Sequence, residues 1–228
     1  MTDLRAVVFD YYGTLSRART ADESTAARTE LAGLLGVDPV ALDAEMTATV
    51  DQRFRGAGGD LAGSLAWIAQ RLGVEVPPAA LDRAAARRLE LERDFGRPRP
   101  DADQVLRALR ERGLRVGVVS DCSAELPRYF PTLEIAALVD AAVFSFVTGH
   151  RKPEPENYLA CCAALGVEPG DCPYVGDGGS NELAGAQSLG MRAVHLAVPE
   201  ELGGLVYGKH ESWDGETIPS LREVLALV

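Results

Sequence analysis

The chain contains almost no lysine. Of its 228 residues only Lys152 and Lys209 carry an ammonium, and arginine serves every other basic position. Acidic side chains outnumber basic ones 34 to 23, for a formal charge of -11. Such a surface repels a phosphate backbone and gains nothing from counterion release, which excludes nucleic acid as a partner. It suits a protein that meets small anions in a locally positive pocket. Long hydrophobic runs are also missing. The longest, "LEIAALVDAAVFSFV", is interrupted by Glu134 and Asp140 and is too broken to span a bilayer, so no membrane partner is expected. "MTDLRAVVFD" shows no apolar core behind a basic cap, which argues against a secretory signal and for a cytoplasmic protein. Cys122, Cys161, Cys162 and Cys172 lack zinc-like spacing, and the adjacent pair is an awkward start for a disulfide framework. They read as buried free thiols of a reducing compartment. Internal repeats and low-complexity segments are absent.

What is present divides into two rhythms. "LRAVVFD" reads as a short buried strand. From about Ala21 to Asp94 the pattern is helical: "ESTAARTELAGLLGV", "DPVALDAEMTATVDQRF", "LAGSLAWIAQRLGV" and "PAALDRAAARRLELERDF", with "GAGG" at 56–59 as a loop. A Pro-rich seam, "GRPRPDA", leads back into alternating elements. "DADQVLRALRERG" is a helix opened by an Asp cap, "LRVGVVSD" and "AAVFSF" are strands, and "EPENYLACCAALGV" is a helix. "CPYVGD" is a strand, "SNELAGAQSLG" a helix, "MRAVHLA" a strand and "IPSLREVLALV" a closing helix. Strands alternating with helices imply an α/β fold: a parallel, Rossmann-like sheet covered on both faces, with the helical run inserted after the first strand.

In such sheets ligands bind beyond the carboxyl ends of the strands. Those ends carry Asp10 and Tyr12, Ser120 and Asp121, and Asp177, while "GHRKPEP" adds Lys152 on a Pro-stiffened loop. Singly, each has an ordinary alternative. Asp10 and Asp177 suit turns, Ser120 suits a helix cap, and Lys152 suits solvent. Yet a chain that otherwise uses arginine gains from a compact ammonium only where a point charge is wanted. Taken together, the four strand-end signals point to one site.

"FDYYGTL", "VVSD", "KPEP" and "VGDGGSNE", in that order, resemble the four motifs of the haloacid dehalogenase-like hydrolase superfamily. The inserted helices resemble that superfamily's α-helical cap, which implies a core of residues 1–16 and 97–228 and a cap of 17–96. The resemblance implies that Asp10 is a nucleophile forming a covalent aspartyl intermediate. It implies that Ser120 and Lys152 hold the transferred group, with Asp121 beside them, and that Lys152 also restrains Asp10. It implies Mg²⁺ held by Asp10, Asp177 and the main-chain carbonyl of Tyr12. The physics agrees: a carboxylate attacks an anionic phosphate only when repulsion is neutralised, which a hard cation and a lysine provide. Thr14 and the amides near Gly13 add hydrogen bonds to the phosphate oxygens.

Two branches compete. The usual phosphatase carries a second Asp where Tyr12 stands, as general acid and base, whereas haloacid dehalogenases carry Tyr and expel halide without a proton. The fourth motif, with Glu182 in place of the usual second Asp, resembles the metal-binding phosphatase form. Asp121 stands where dehalogenases show Asn, and a carboxylate there repels a haloacid. The metal motif outweighs the single position. The expected protein is a Mg²⁺-dependent phosphatase of a small phosphorylated metabolite, monomeric or homodimeric. The alternatives are a 2-haloacid dehalogenase and a catalytically impaired binding module. Arg53 and Arg55, beside the Gly-rich loop, are the candidate substrate contacts from the helical insertion, or else solvated charges at a helix end.

Overall fold

The computed structural model describes residues 4–201 and 213–228, so Lys209 lies outside the described residues. Six parallel strands form one sheet: β1 (Ala6–Phe9), β2 (Arg115–Ser120), β3 (Ala141–Phe144), β4 (Tyr174–Gly176), β5 (Ala193–Leu196) and β6 (Glu216–Ile218). Their order is β3-β2-β1-β4-β5-β6. The chain steps outward from β1 through β2 to β3, then crosses back to lay β4 on the other side of β1. That reversal opens the sheet's crevice at the carboxyl ends of β1 and β4, the place where α/β sheets bind ligands.

Strand alternation feeds two cores. Val7, Phe9, Val116, Val118, Val175 and Val194 face one layer, packed by Val105, Leu106 and Leu109 of α6 (Ala102–Glu111). Ala6, Val8, Val119 and Tyr174 face the other, packed by Tyr158, Cys161 and Leu165 of α9 (Pro155–Leu165) and by Leu183 and Ala186 of α10 (Glu182–Ser188). Gly117 lets α9 approach, since a Cβ there would meet Cys161 Sγ at 2.6 Å.

The insertion comprises α1 (Ala21–Leu35), α2 (Pro39–Ala48), α3 (Val50–Phe54), α4 (Leu61–Arg71) and α5 (Pro78–Phe95). It has an apolar cluster of its own, including Leu31, Leu35, Leu42, Met46, Leu65 and Ile68. Thr20 and Glu23 form a capping box on α1, and Asp38 and Asp60 cap α2 and α4. The remaining helices are short: α7 (Glu125–Tyr129), α8 (Ser145–Thr148) and α11 (Val224–Leu227).

Three expectations change in detail. "DPVALDAEMTATVDQRF" is two helices, because the Thr49 hydroxyl donates to Glu45 O at 2.6 Å and the backbone leaves helical geometry there. Asp101 stands at the start of α6, but its side chain makes no capping hydrogen bond. The closing helix is one turn, because Ile218 belongs to β6, an edge strand that the sequence reading did not find. All four cysteines are buried free thiols, as expected. Among the described residues no helix is long and apolar enough to cross a membrane.

Candidate active site

Asp10 leaves the end of β1 and is buried. The chain then turns sharply through Gly13, whose φ of +80° lies in the left-handed region. A Cβ on Gly13 would stand 2.2 Å from Asp177 Oδ2, so glycine is what lets the β1 and β4 loops touch. Arg99, from the Pro-rich seam, braces this turn by donating to Gly13 O at 2.8 Å and Thr14 O at 2.7 Å, while Glu201 accepts from it at 2.6 Å.

Lys152 lies buried between two carboxylates. Its Nζ donates to Asp10 Oδ1 at 2.6 Å and to Glu182 Oε2 at 2.5 Å. Glu182 is held in turn by the Tyr174 hydroxyl at 2.7 Å and the Gly178 N–H at 3.0 Å, and Asp177 accepts the Gly179 N–H at 3.0 Å. One carboxylate oxygen from each of Asp10, Asp177 and Glu182 lies within 4.8 Å of the others. Burial, with Glu182 and Asp177 nearby, pushes Asp10 well above the usual carboxylate range against the pull of Lys152. Burial and Glu182 raise Asp177 to about 7. Burial works to lower Lys152, but Asp10 and Glu182 outweigh it and hold the ammonium charged.

Asp121 is fully engaged. Its Oδ1 accepts the Lys152 N–H at 3.1 Å and its Oδ2 accepts Arg151 Nε at 3.1 Å. Four carboxylates (Asp10, Asp121, Asp177, Glu182) thus surround two cations, Lys152 and Arg151. The excess of carboxylates over cations, all offering hard oxygen donors, fits a divalent cation such as Mg²⁺. Thr14 Oγ1 and Ser120 Oγ are buried with no hydrogen-bond partner among the described residues. Both stand next to the strand ends, though neither lines the cavity beside Asp10.

A cavity runs from Asp10, Lys152 and Asp177 into the helical insertion, where Arg53, Arg88, Met46 and Phe95 line it. Arg53 is buried and donates to Met46 O at 2.7 Å, so it is no solvated helix-end charge. Arg55 does not line the cavity. It pairs with Glu154 at 2.5 Å and donates to Gly149 O at 3.1 Å, tying α3 to the loop that carries Lys152. Arg53 lies within α3, whereas Arg55 follows the last helical residue, Phe54, and turns to the Lys152 loop. Tyr12 lines the cavity, and its hydroxyl lies 2.9 Å from that of Tyr129 on α7. Desolvation raises its phenol well above the ordinary value.

The sequence reading missed Arg99, Arg151, Tyr129 and Tyr174. Each acts through a partner 8 to 117 positions away, which no local pattern announces. The position of Arg151 beside Lys152 was the one available signal.

A family profile described as haloacid dehalogenase-like hydrolase matches residues 4–190. The chain is 25% identical over 197 residues to glyceraldehyde 3-phosphate phosphatase of Methanopyrus kandleri, covering 85% of this chain and 84% of that protein. It is 38% identical over 102 residues to a phosphatase of Mycobacterium tuberculosis, covering 43% and 46% of the two. Its fold is similar to a 2-haloacid dehalogenase from Pseudomonas syringae, with a TM-score of 0.70, 20% identity and coverage of 98% and 97%. It is also similar to a haloacid dehalogenase-like phosphatase from Thermococcus onnurineus, with a TM-score of 0.66, 22% identity and coverage of 98% and 97%. At these identities the structural likeness carries the fold and does not separate the two chemistries.

Proposed function

The chain belongs to the haloacid dehalogenase-like hydrolases, and on that premise we propose that it is a Mg²⁺-dependent phosphatase of a small phosphorylated metabolite. The observation that carries this reading is the convergence of Asp10, Asp177 and Glu182, two of which pair with the Lys152 ammonium. A haloacid's carboxylate gains nothing among so many carboxyl groups, whereas a phosphate would be drawn to a divalent cation held by them. Phosphatase relatives from two organisms support the same side.

In this reading Asp10, Asp177 and the Tyr12 carbonyl hold the cation, and Glu182 fixes Lys152. When bound, Mg²⁺ offsets the charge between carboxylate and phosphate. Lys152 restrains Asp10 Oδ1, and a carboxylate oxygen of Asp10 attacks phosphorus as the bond to the leaving oxygen breaks. Thr14, Ser120 and Lys152 donate to the transferred oxygens. Water then attacks phosphorus, releases phosphate and frees Asp10. Residues 17–96 act as the cap that closes over the leaving group, with Arg53 as its substrate contact. Tyr12 supplies no proton, so the leaving group departs with its own charge or takes a proton from solvent.

Phosphate release from a metabolite panel, with and without Mg²⁺, tests the assignment. Turnover that vanishes in chelator and in Asp10→Asn is expected. Halide release from 2-haloacids that persists in chelator would reassign the chain to the dehalogenase chemistry.

A further inference from the structure

The guanidinium of Arg151 joins parts of the molecule that are far apart in sequence. Nε donates to Asp121 Oδ2 at 3.1 Å, at the end of β2. One Nη donates to Ser180 Oγ at 3.4 Å, in the loop after β4. The other donates to Asp51 Oδ1 at 2.9 Å on α3, and the group stacks on Phe54 of the same helix, 5.0 Å from its ring centre. The next residue in the chain is Lys152, whose N–H grips the other oxygen of Asp121. Arg55 of α3 completes the contact by pairing with both Asp51 and Glu154. Asp51 and Arg55 thus face Arg151 and Glu154 across the boundary between the insertion and the Lys152 loop.

The outer edge of this boundary is polar and lies at the rim, with Asp51 57% and Arg55 34% exposed, while Arg151 is 14% exposed. Rim ion pairs contribute little net stability and exchange readily with water. A contact of that kind suits a joint that opens and closes. The planar fork of arginine spreads its donors over three nitrogens and reaches Asp121, Asp51 and Ser180 together, where an ammonium offers all its N–H groups from one point.

We propose that Arg151 is a positioning residue that couples the docking of α3 to the presentation of Lys152 and Asp121 at the reaction site. With α3 docked, Asp51 and Phe54 hold the guanidinium, the guanidinium holds Asp121, and Asp121 fixes the main chain at Lys152. With α3 withdrawn, Arg151 keeps only its partners on the core side, and Lys152 loses one restraint on its position against Asp10. The inference rests on reading Asp10 and Lys152 as the reaction centre.

A double-mutant cycle in the full chain tests it, with p-nitrophenyl phosphate and Mg²⁺, alongside hydrogen exchange of peptides covering 50–54. Arg151→Ala is expected to lower kcat about tenfold or more while KM moves less than about threefold, as loss of alignment does. Arg151→Lys should fail to restore kcat. Asp51→Asn should lower kcat about threefold or more by itself and add nothing to Arg151→Ala. Exchange at 50–54 should rise in Arg151→Ala. Additive effects of the two substitutions, full activity in Arg151→Lys, or unchanged exchange at α3 would each overturn the coupling. Should the wild type release no phosphate, the phosphatase reading falls, and exchange alone judges the tether: a rise keeps it and no change removes it.

Discussion

The hydroxyls of Tyr12 and Tyr129 meet at 2.9 Å, so the residue two places after Asp10 is bonded to a buried tyrosine of α7. Both phenols are raised by burial, which makes Tyr12 a worse acid-base group than free tyrosine near 10. Leaving-group chemistry should therefore control the rate. Acetyl phosphate and p-nitrophenyl phosphate should turn over much faster at saturation than glycerol or sugar phosphates. Tyr12→Phe should change little, while Tyr12→Asp should selectively raise alkyl phosphate turnover by about 10- to 100-fold. Equal wild-type rates across leaving groups would show that another group supplies the proton.

Gly13→Ala should be inactive. The backbone there has φ +80°, and the new methyl would stand 2.2 Å from Asp177 Oδ2. Strain of about 1–3 kcal/mol is expected from the dihedral itself. Separation of the β1 and β4 loops should cost turnover about 100-fold or more. Melting temperature and turnover per folded molecule check the two parts, and wild-type kinetics in the variant would contradict the packing.

Metal-free protein should lose stability as pH rises. Asp177 titrates at about 7 in the folded chain, raised first by burial and then by Glu182, against about 3.9 when unfolded. A folded state that holds a proton released on unfolding is favoured below about pH 4 and loses that advantage up to about pH 7. In chelator, Tm should fall across this window more in wild type than in Asp177→Asn. Mg²⁺ should restore Tm near neutral pH in the wild type only. Matching pH profiles in the two proteins would remove Asp177 as the source.

Arg53 and Arg55 should separate in a substrate panel. Arg53→Ala should alter the ranking of substrates, with KM rising about tenfold for the best of them. Arg55→Ala should leave the ranking unchanged, because its side chain pairs with Glu154 outside the cavity. The ratios of kcat/KM across the panel decide between them.

Most of the sheet, and the gathering of Asp10, Lys152 and Asp177 at its edge, could be read from the chain. Apolar runs ending in Asp10, Ser120 and Asp177 announce buried strands with polar tips, and three of the insertion's helices carry side-chain caps at Thr20, Asp38 and Asp60. β6 was hidden because three residues, Glu216, Thr217 and Ile218, give no period to count. The break at Thr49 depends on one side-chain bond inside an otherwise helical pattern. The roles of Arg151, Arg99 and Tyr129 were out of reach for a different reason. Arginine and tyrosine are common, and only the folded chain says which carboxylate, carbonyl or hydroxyl they meet. Arg53 against Arg55 belongs with these, since only the folded chain shows that α3 ends at Phe54 and that Arg55 stays outside the cavity.

The burial of Lys152 has a practical side. At 6% exposure and locked between Asp10 and Glu182, its amine is shielded from acylating reagents, leaving at most Lys209 and the chain terminus to react. Amine-directed labels or surface coupling should therefore spare Lys152 and the carboxylates that hold it. Any acylation found at Lys152 would then report, at single-residue resolution, molecules in which the carboxylate grip had opened.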